Sequence, residues 1–132
     1  MPDLIGRIGL LRHTVQPIDL ATHWNNDIPA LATPILLWLS ELAAMMAIEG
    51  LLPDTLMTVG IAHDSQHLAP TPAGFTLSVR ATVIQATDKS IEFAVEASDG
   101  SERILSGLHT RAVVDRKAFK ARVANKHPGL QP

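Results

Sequence analysis

At 132 residues, the chain suits one domain with a real core, burying roughly two-thirds of its unfolded surface. Hydrophobic residues at 46% against 18% charged exclude a disordered chain, and a net charge of -2 removes the attraction that nucleic-acid binding depends on. With no cysteine, disulfides, thiolate catalysis and cysteine-ligated zinc are excluded, and a reducing cytoplasm is the expected setting. The first twelve residues lack the pattern of a secretory signal. The longest apolar run, residues 34–48, is interrupted by Ser40 and Glu41 and is too short for a bilayer of about 30 Å, so no membrane partner is expected.

In chain order, a short strand is expected near residues 9–16. The most legible element is a helix over residues 34–49: Thr33 can cap it, Pro34 suits its first position, and Gly50 with Pro53 stops it. From Ile35 to Ile48 it has almost no polar face, which marks it as buried. The period then changes to two. In residues 56–69 one parity holds Met57, Val59, Ile61, His63, Ser65 and His67, and in residues 75–85 one holds Phe75, Leu77, Val79, Ala81 and Val83. Ile91, Phe93, Val95 and Ala97 alternate with polar residues up to a tight turn at Asp99-Gly100, and a last strand covers residues 102–114. Short connections make these strands antiparallel neighbours. Asp115 can cap a short basic helix ending near residues 127–129.

The expected fold is α+β, a single domain over residues 1–132. A curved antiparallel β-sheet wraps around one central buried α-helix, which is the hotdog architecture. One helix cannot shield both sheet edges, so a homodimer is expected, with pairing into tetramers open.

Glu41 stands out because an ionised carboxylate is expensive to bury in so apolar a helix without partners, and such groups cluster at functional sites. The alternative is a polar gap at a dimer interface. On the inward parity of its strand, and in the absence of a bulge, His67 points toward the helix and can meet that carboxylate. His63 shares the parity and competes for the role. Thr33 reads first as a helix cap, although an anion or polarised carbonyl drawn to a helix start would lie beside its hydroxyl. His63 and His67 lie about 13 Å apart along a strand, too far to chelate together, so no metal site is expected. Gly60 interrupts an apolar strand, marking either a bulge or a close ligand approach. Arg111 is a surface arginine or an anion-facing one. The basic cluster Arg116, Lys117, Lys120, Arg122 and Lys126 reads as a solvated face that could also attract phosphates.

These residues resemble a known family: Ala32-Thr33-Pro34 opening the helix, Glu41 within it, Thr58-Val59-Gly60, then His67-Leu68-Ala69-Pro70-Thr71-Pro72-Ala73-Gly74, and Gly107-Leu108-His109-Thr110-Arg111-Ala112-Val113-Val114. The pattern is similar to the hotdog thioesterases related to fluoroacetyl-CoA thioesterase, from about Leu31 to Phe119. The resemblance implies hydrolysis of a small acyl-CoA thioester, with catalytic residues at Thr33, Glu41 and His67 and substrate-lining residues at Gly60 and Arg111. It implies no cofactor, coenzyme A being part of the substrate. Before the helix, Trp24 and Asp27 stand where the fluoroacetyl enzyme's lid carries two phenylalanines, which places Trp24 among the substrate-binding candidates and leaves the identity of the acyl group open. Two other readings fit the same architecture. One is an enoyl-CoA hydratase, and the other is a module that binds an acyl group or small molecule without turnover.

Overall fold

The computed structural model describes residues 3–129. Strand β1 (Ile8–Thr14) leads through two short 3-10 turns, Pro17–Asp19 and Ala21–His23, to helix α1 (Thr33–Ile48). Strands β2 (Leu56–His67), β3 (Thr76–Ala86), β4 (Ser90–Ser98) and β5 (Arg103–Asp115) follow, and then helix α2 (Arg116–Ala124). The strands form one antiparallel sheet in the order β1-β3-β4-β5-β2, so β1 and β2 are its edges. This is the hotdog arrangement the alternating pattern predicts.

Alternation works as expected in the middle of the sheet. Leu77, Val79, Ala81 and Val83 of β3 and Ile91, Phe93, Val95 and Ala97 of β4 are all buried, while Thr76 and Arg80 face solvent. The register sets Val79 opposite Ala97, Ala81 opposite Val95 and Val83 opposite Phe93. On this apolar surface α1 buries Leu36, Leu39, Ala43, Ala44, Ala47 and Ile48, each large side chain contributing about 1.5–3 kcal/mol. The helix also sits directly on β1. A Cβ at Gly9 would lie 1.9 Å from the Ala43 carbonyl oxygen and 2.7 Å from the Ala47 amide nitrogen, so only glycine fits there.

Two expectations at the turns are met. Gly100 has φ +87°, and Asp99 beside it accepts from the amides of Ser101 and Glu102 at 2.9 and 3.0 Å. Asp115 caps α2 by accepting from the Ala118 amide at 2.8 Å. No described helix is long and apolar enough to cross a membrane.

Three expectations need correction. First, α1 starts one residue early: Ala32 takes the cap position, and Thr33 and Pro34 fall in the first turn, with no side-chain capping bond. Second, α1 is buried on its sheet side alone. Trp38 is 50% exposed, and Met45 and Met46 are exposed as well. Third, a bulge in β2 breaks the assumed parity. Gly60 pairs with Arg111 and Ala62 with Thr110, leaving Ile61 as the extra residue. His63 and His67 keep the inward orientation, but before the bulge it is Thr58 and Gly60 that turn toward the helix, and Ile61 is 59% exposed.

Candidate active site

Glu41 lies midway along α1, where the helix passes over the β2–β5 pair. Both of its oxygens are held from the sheet. Arg111 donates from Nη1 to Oε1 at 2.8 Å, and His63 Nε2 stands 2.9 Å from Oε2. Arg111 is itself buried and anchored at its other side, donating from Nε to Thr58 Oγ1 at 2.9 Å and from Nη2 to the Thr58 carbonyl at 3.2 Å. Of the two readings of Arg111, the surface one fails: the side chain is buried and faces an anion of its own chain, the helix carboxylate. Desolvation by burial pushes the Glu41 pKa up, but the bonds from His63 and Arg111, with the nearby Arg111 charge, outweigh it and hold the carboxyl below its ordinary range.

His109 completes this cluster. Its Nδ1–H donates to the Ala62 carbonyl at 2.9 Å, which leaves Nε2 to accept from Arg111 Nη1 at 3.1 Å. Its ring stacks on that of His63 at 4.2 Å between centroids with 14° between planes, and Phe93 backs it. Burial, above all, lowers the His109 pKa. Gly60 makes room for the group: a Cβ there would fall 2.5 Å from Glu41 Oε1 and 3.3 Å from Arg111 Nη1. The close approach expected at this glycine is made by the chain's own ion pair.

Glu41, His63 and His109 offer metal-ligand atoms within 4.8 Å of one another. The Arg111 guanidinium stands among them, taking up Glu41 Oε1 and His109 Nε2, the lone pairs that a cation would need. Residues of this kind fit a carboxylate held ready for proton transfer better than a metal centre.

Thr33 and His67 form a second, separate pair. With Ala32 capping the helix, the Thr33 hydroxyl is free and bonds His67 Nδ1 at 2.8 Å. Burial lowers the His67 pKa, partly offset by a backbone interaction with Ala69. The two residues line a cleft with Ala30, Leu31, Leu68, Ala69 and Pro70. Trp24, half exposed, borders an adjoining hollow that also reaches Thr33.

Within one chain, then, the six predicted site residues divide into two groups. Glu41, Gly60 and Arg111 come together, and Thr33 joins His67 with Trp24 nearby. The imidazole that meets Glu41 is His63, whereas the sequence reading gave that contact to His67. Thr58 and His109, which stand in the family-like motifs without an expected role, belong to the cluster as well: His109 lies two residues before Arg111 and so shares its face of β5.

Comparison with known proteins identifies the family and the fold. A family model described as fluoroacetyl-CoA-specific thioesterase matches residues 15–117. The fluoroacetyl-CoA thioesterase of Streptantibioticus cattleyicolor is 34% identical over 97 residues, spanning 74% of this chain and 70% of that protein. A solved structure of a variant of fluoroacetyl-CoA thioesterase in complex with acetyl-CoA superposes with a TM-score of 0.87 at 28% identity, covering 94% of this chain and 98% of the other. A hot-dog-like protein from Thermanaerovibrio acidaminovorans matches with a TM-score of 0.85 over 96% and 94% of the two chains, and its 21% identity speaks to fold alone. A match over most of the chain, at this identity to a curated relative, makes this protein a member of the fluoroacetyl-CoA-specific thioesterase family of thioester hydrolases.

Proposed function

We propose that the protein hydrolyses a small acyl-CoA thioester at a site shared by two copies, in which Thr33 and His67 of one protomer face Glu41 of the other. The observation that carries this reading is the separation of the two pairs. Thr33 and Glu41 are eight residues apart on α1, about 12 Å of helical rise, and His67 and His63 are four apart on β2, about 13 Å. One small thioester cannot touch both pairs on one chain. A twofold axis that sets two α1 helices antiparallel brings each chain's Thr33–His67 pair toward the partner's Glu41. The free edge of β2 and the exposed stripe of Trp38, Met45 and Met46 on α1 favour that pairing, since both call for cover.

In this site the thioester carbonyl lies at the start of α1, where the helix dipole and the Thr33 hydroxyl stabilise charge developing on oxygen. Glu41, ionised at neutral pH, takes a proton from water as the water oxygen bonds to the carbonyl carbon. The C–S bond then breaks, and the thiolate receives a proton through His67, releasing the free acid and coenzyme A. A thiolate is already a good leaving group, so this modest acid-base help suffices. Water and these side chains are the only reagents the reaction needs. Family membership favours this over the enoyl-CoA hydratase and binding-module readings.

The test is hybrid complementation in a thiol-release assay over short, branched and aryl acyl-CoAs. Glu41→Gln and His67→Ala should each lose at least about a hundredfold in rate. Mixed in equal amounts and allowed to exchange, they should recover roughly a quarter of wild-type activity, because half the dimers carry one intact site. No recovery from dimers shown to have exchanged would refute the shared site, and wild-type turnover by Glu41→Gln would refute the role of Glu41.

A further inference from the structure

The shared-site reading gives no task to His63, yet this imidazole makes one of the two bonds that fix Glu41. We propose that His63 is a positioning residue, holding Oε2 of Glu41 through its Nε2–H and so keeping the carboxylate in one orientation for the incoming water. The inference rests on the role of Glu41 proposed above.

Three observations support it. An ionised carboxylate can only accept, so the nitrogen 2.9 Å from Oε2 carries the proton, and the tautomer is set by its partner. The ring plane is set independently, by the stack on His109 at 4.2 Å, and His109 is itself pinned to the Ala62 carbonyl. Finally, His63 Nδ1 is buried and has no hydrogen-bond partner among the described residues. No second bond pulls the ring elsewhere, so the imidazole answers to the carboxylate and the stack alone.

A carboxylate has about four lone-pair positions. Arg111 and His63 each occupy one on different oxygens, which fixes the plane of the group and leaves the others for water. With Arg111 alone, the carboxylate could turn about the single bond at Oε1. The bulge at Gly60 and Ala62 is what brings His63 opposite His109 and under Glu41.

The groups facing Glu41 are Arg111 and His109 from β5 and His63 from β2. Removing the His63 donor takes away one of the bonds that hold the carboxyl below its usual range. Glu41 works ionised, so activity is complete above its pKa and lost as pH falls through it. Loss of the donor must therefore move the acid limb of the rate profile to higher pH.

The experiment compares His63→Leu, His63→Gln and Glu41→Gln by pH–rate profile, with thermal melting and sedimentation as controls. His63→Leu should lose roughly ten- to a hundredfold in kcat with KM little changed, the scale of an ångström-sized misplacement. Its acid limb should move up in pH, and His63→Gln, whose amide can reach the same oxygen, should recover much of the rate. If Glu41→Gln is inactive while His63→Leu keeps wild-type kcat and profile, the positioning role is overturned and the proposed function stands. A His63→Leu loss that tracks a lower melting temperature, without the limb shift and without rescue by Gln, also overturns it. An active Glu41→Gln overturns the reading beneath it instead.

Discussion

Gly60→Ala is the smallest change that should disable the site. The added methyl would sit 2.5 Å from Glu41 Oε1, against an ordinary contact of at least 3.4 Å, so the carboxylate or the strand must give by nearly 1 Å. Glu41 cannot retreat without stretching its 2.8 Å bond to Arg111, and Arg111 cannot follow because Thr58 holds it at two atoms. Removing the partner of a fully buried ion pair costs about 3–5 kcal/mol. Glu41 retains 30% side-chain exposure, so water screens part of this, and a loss of about 1–2 kcal/mol in stability is expected. The catalytic effect should be larger, since displacement by about 1 Å costs on the order of a hundredfold in rate. Thiol release from a short acyl-CoA, read beside a urea unfolding curve, measures both quantities on one sample. Wild-type turnover by a folded Gly60→Ala protein would show that the rate does not depend on where Glu41 is held.

Trp38→Ser removes the large apolar side chain from the exposed stripe of α1 and adds no charge beside Glu41, one turn further on. If the proposed dimer forms through this stripe, the variant should sediment as a monomer and lose turnover, while an active monomer would exclude a shared site. The acid sensitivity of the fold follows from the buried imidazoles. His67 and His109 have pKa values lowered by burial, so below the ordinary histidine value of about 6.5 the unfolded chain binds protons that the folded one refuses. Stability should be flat above about pH 6.5 and fall as pH drops beneath it, with Glu41 adding a further loss where carboxylates protonate, below about 4.3. Urea midpoints that stay level or rise between pH 7.5 and 5.5 would contradict this.

Most of the fold was legible because the middle of the sheet keeps one period, in β3 as far as the irregularity between Val83 and Gln85 and in β4 from Ile91 to Ala97. Leu77 to Val83 and Ile91 to Ala97 needed only alternate burial, and Asp99-Gly100 and Asp115 announce their turns by side-chain chemistry. The site was legible as a set of residues but less so as a set of contacts. A bulge is invisible to a count of alternating positions, and it is the bulge that turns Thr58 rather than Val59 toward the helix and lets it hold Arg111. His63 and His67 share a parity, and nothing in the sequence ranks them by height along the helix; only the register against β5 shows that His63 stands beneath Glu41. Thr33 shows the opposite limit. Its residue type suits a cap, yet Ala32 takes that position, and the Thr33 hydroxyl is left free to meet His67.

At Gly9 the helix and the first strand touch main chain to main chain, with no side chain as cushion. The height of α1 above the sheet is thus set by covalent geometry and is insensitive to which aliphatic residues fill the layer beside it. Evolution could vary those fillings while the hydroxyl at one end of the helix and the carboxylate in its middle stayed at fixed elevation. A methyl at that one strand position would tilt the whole platform.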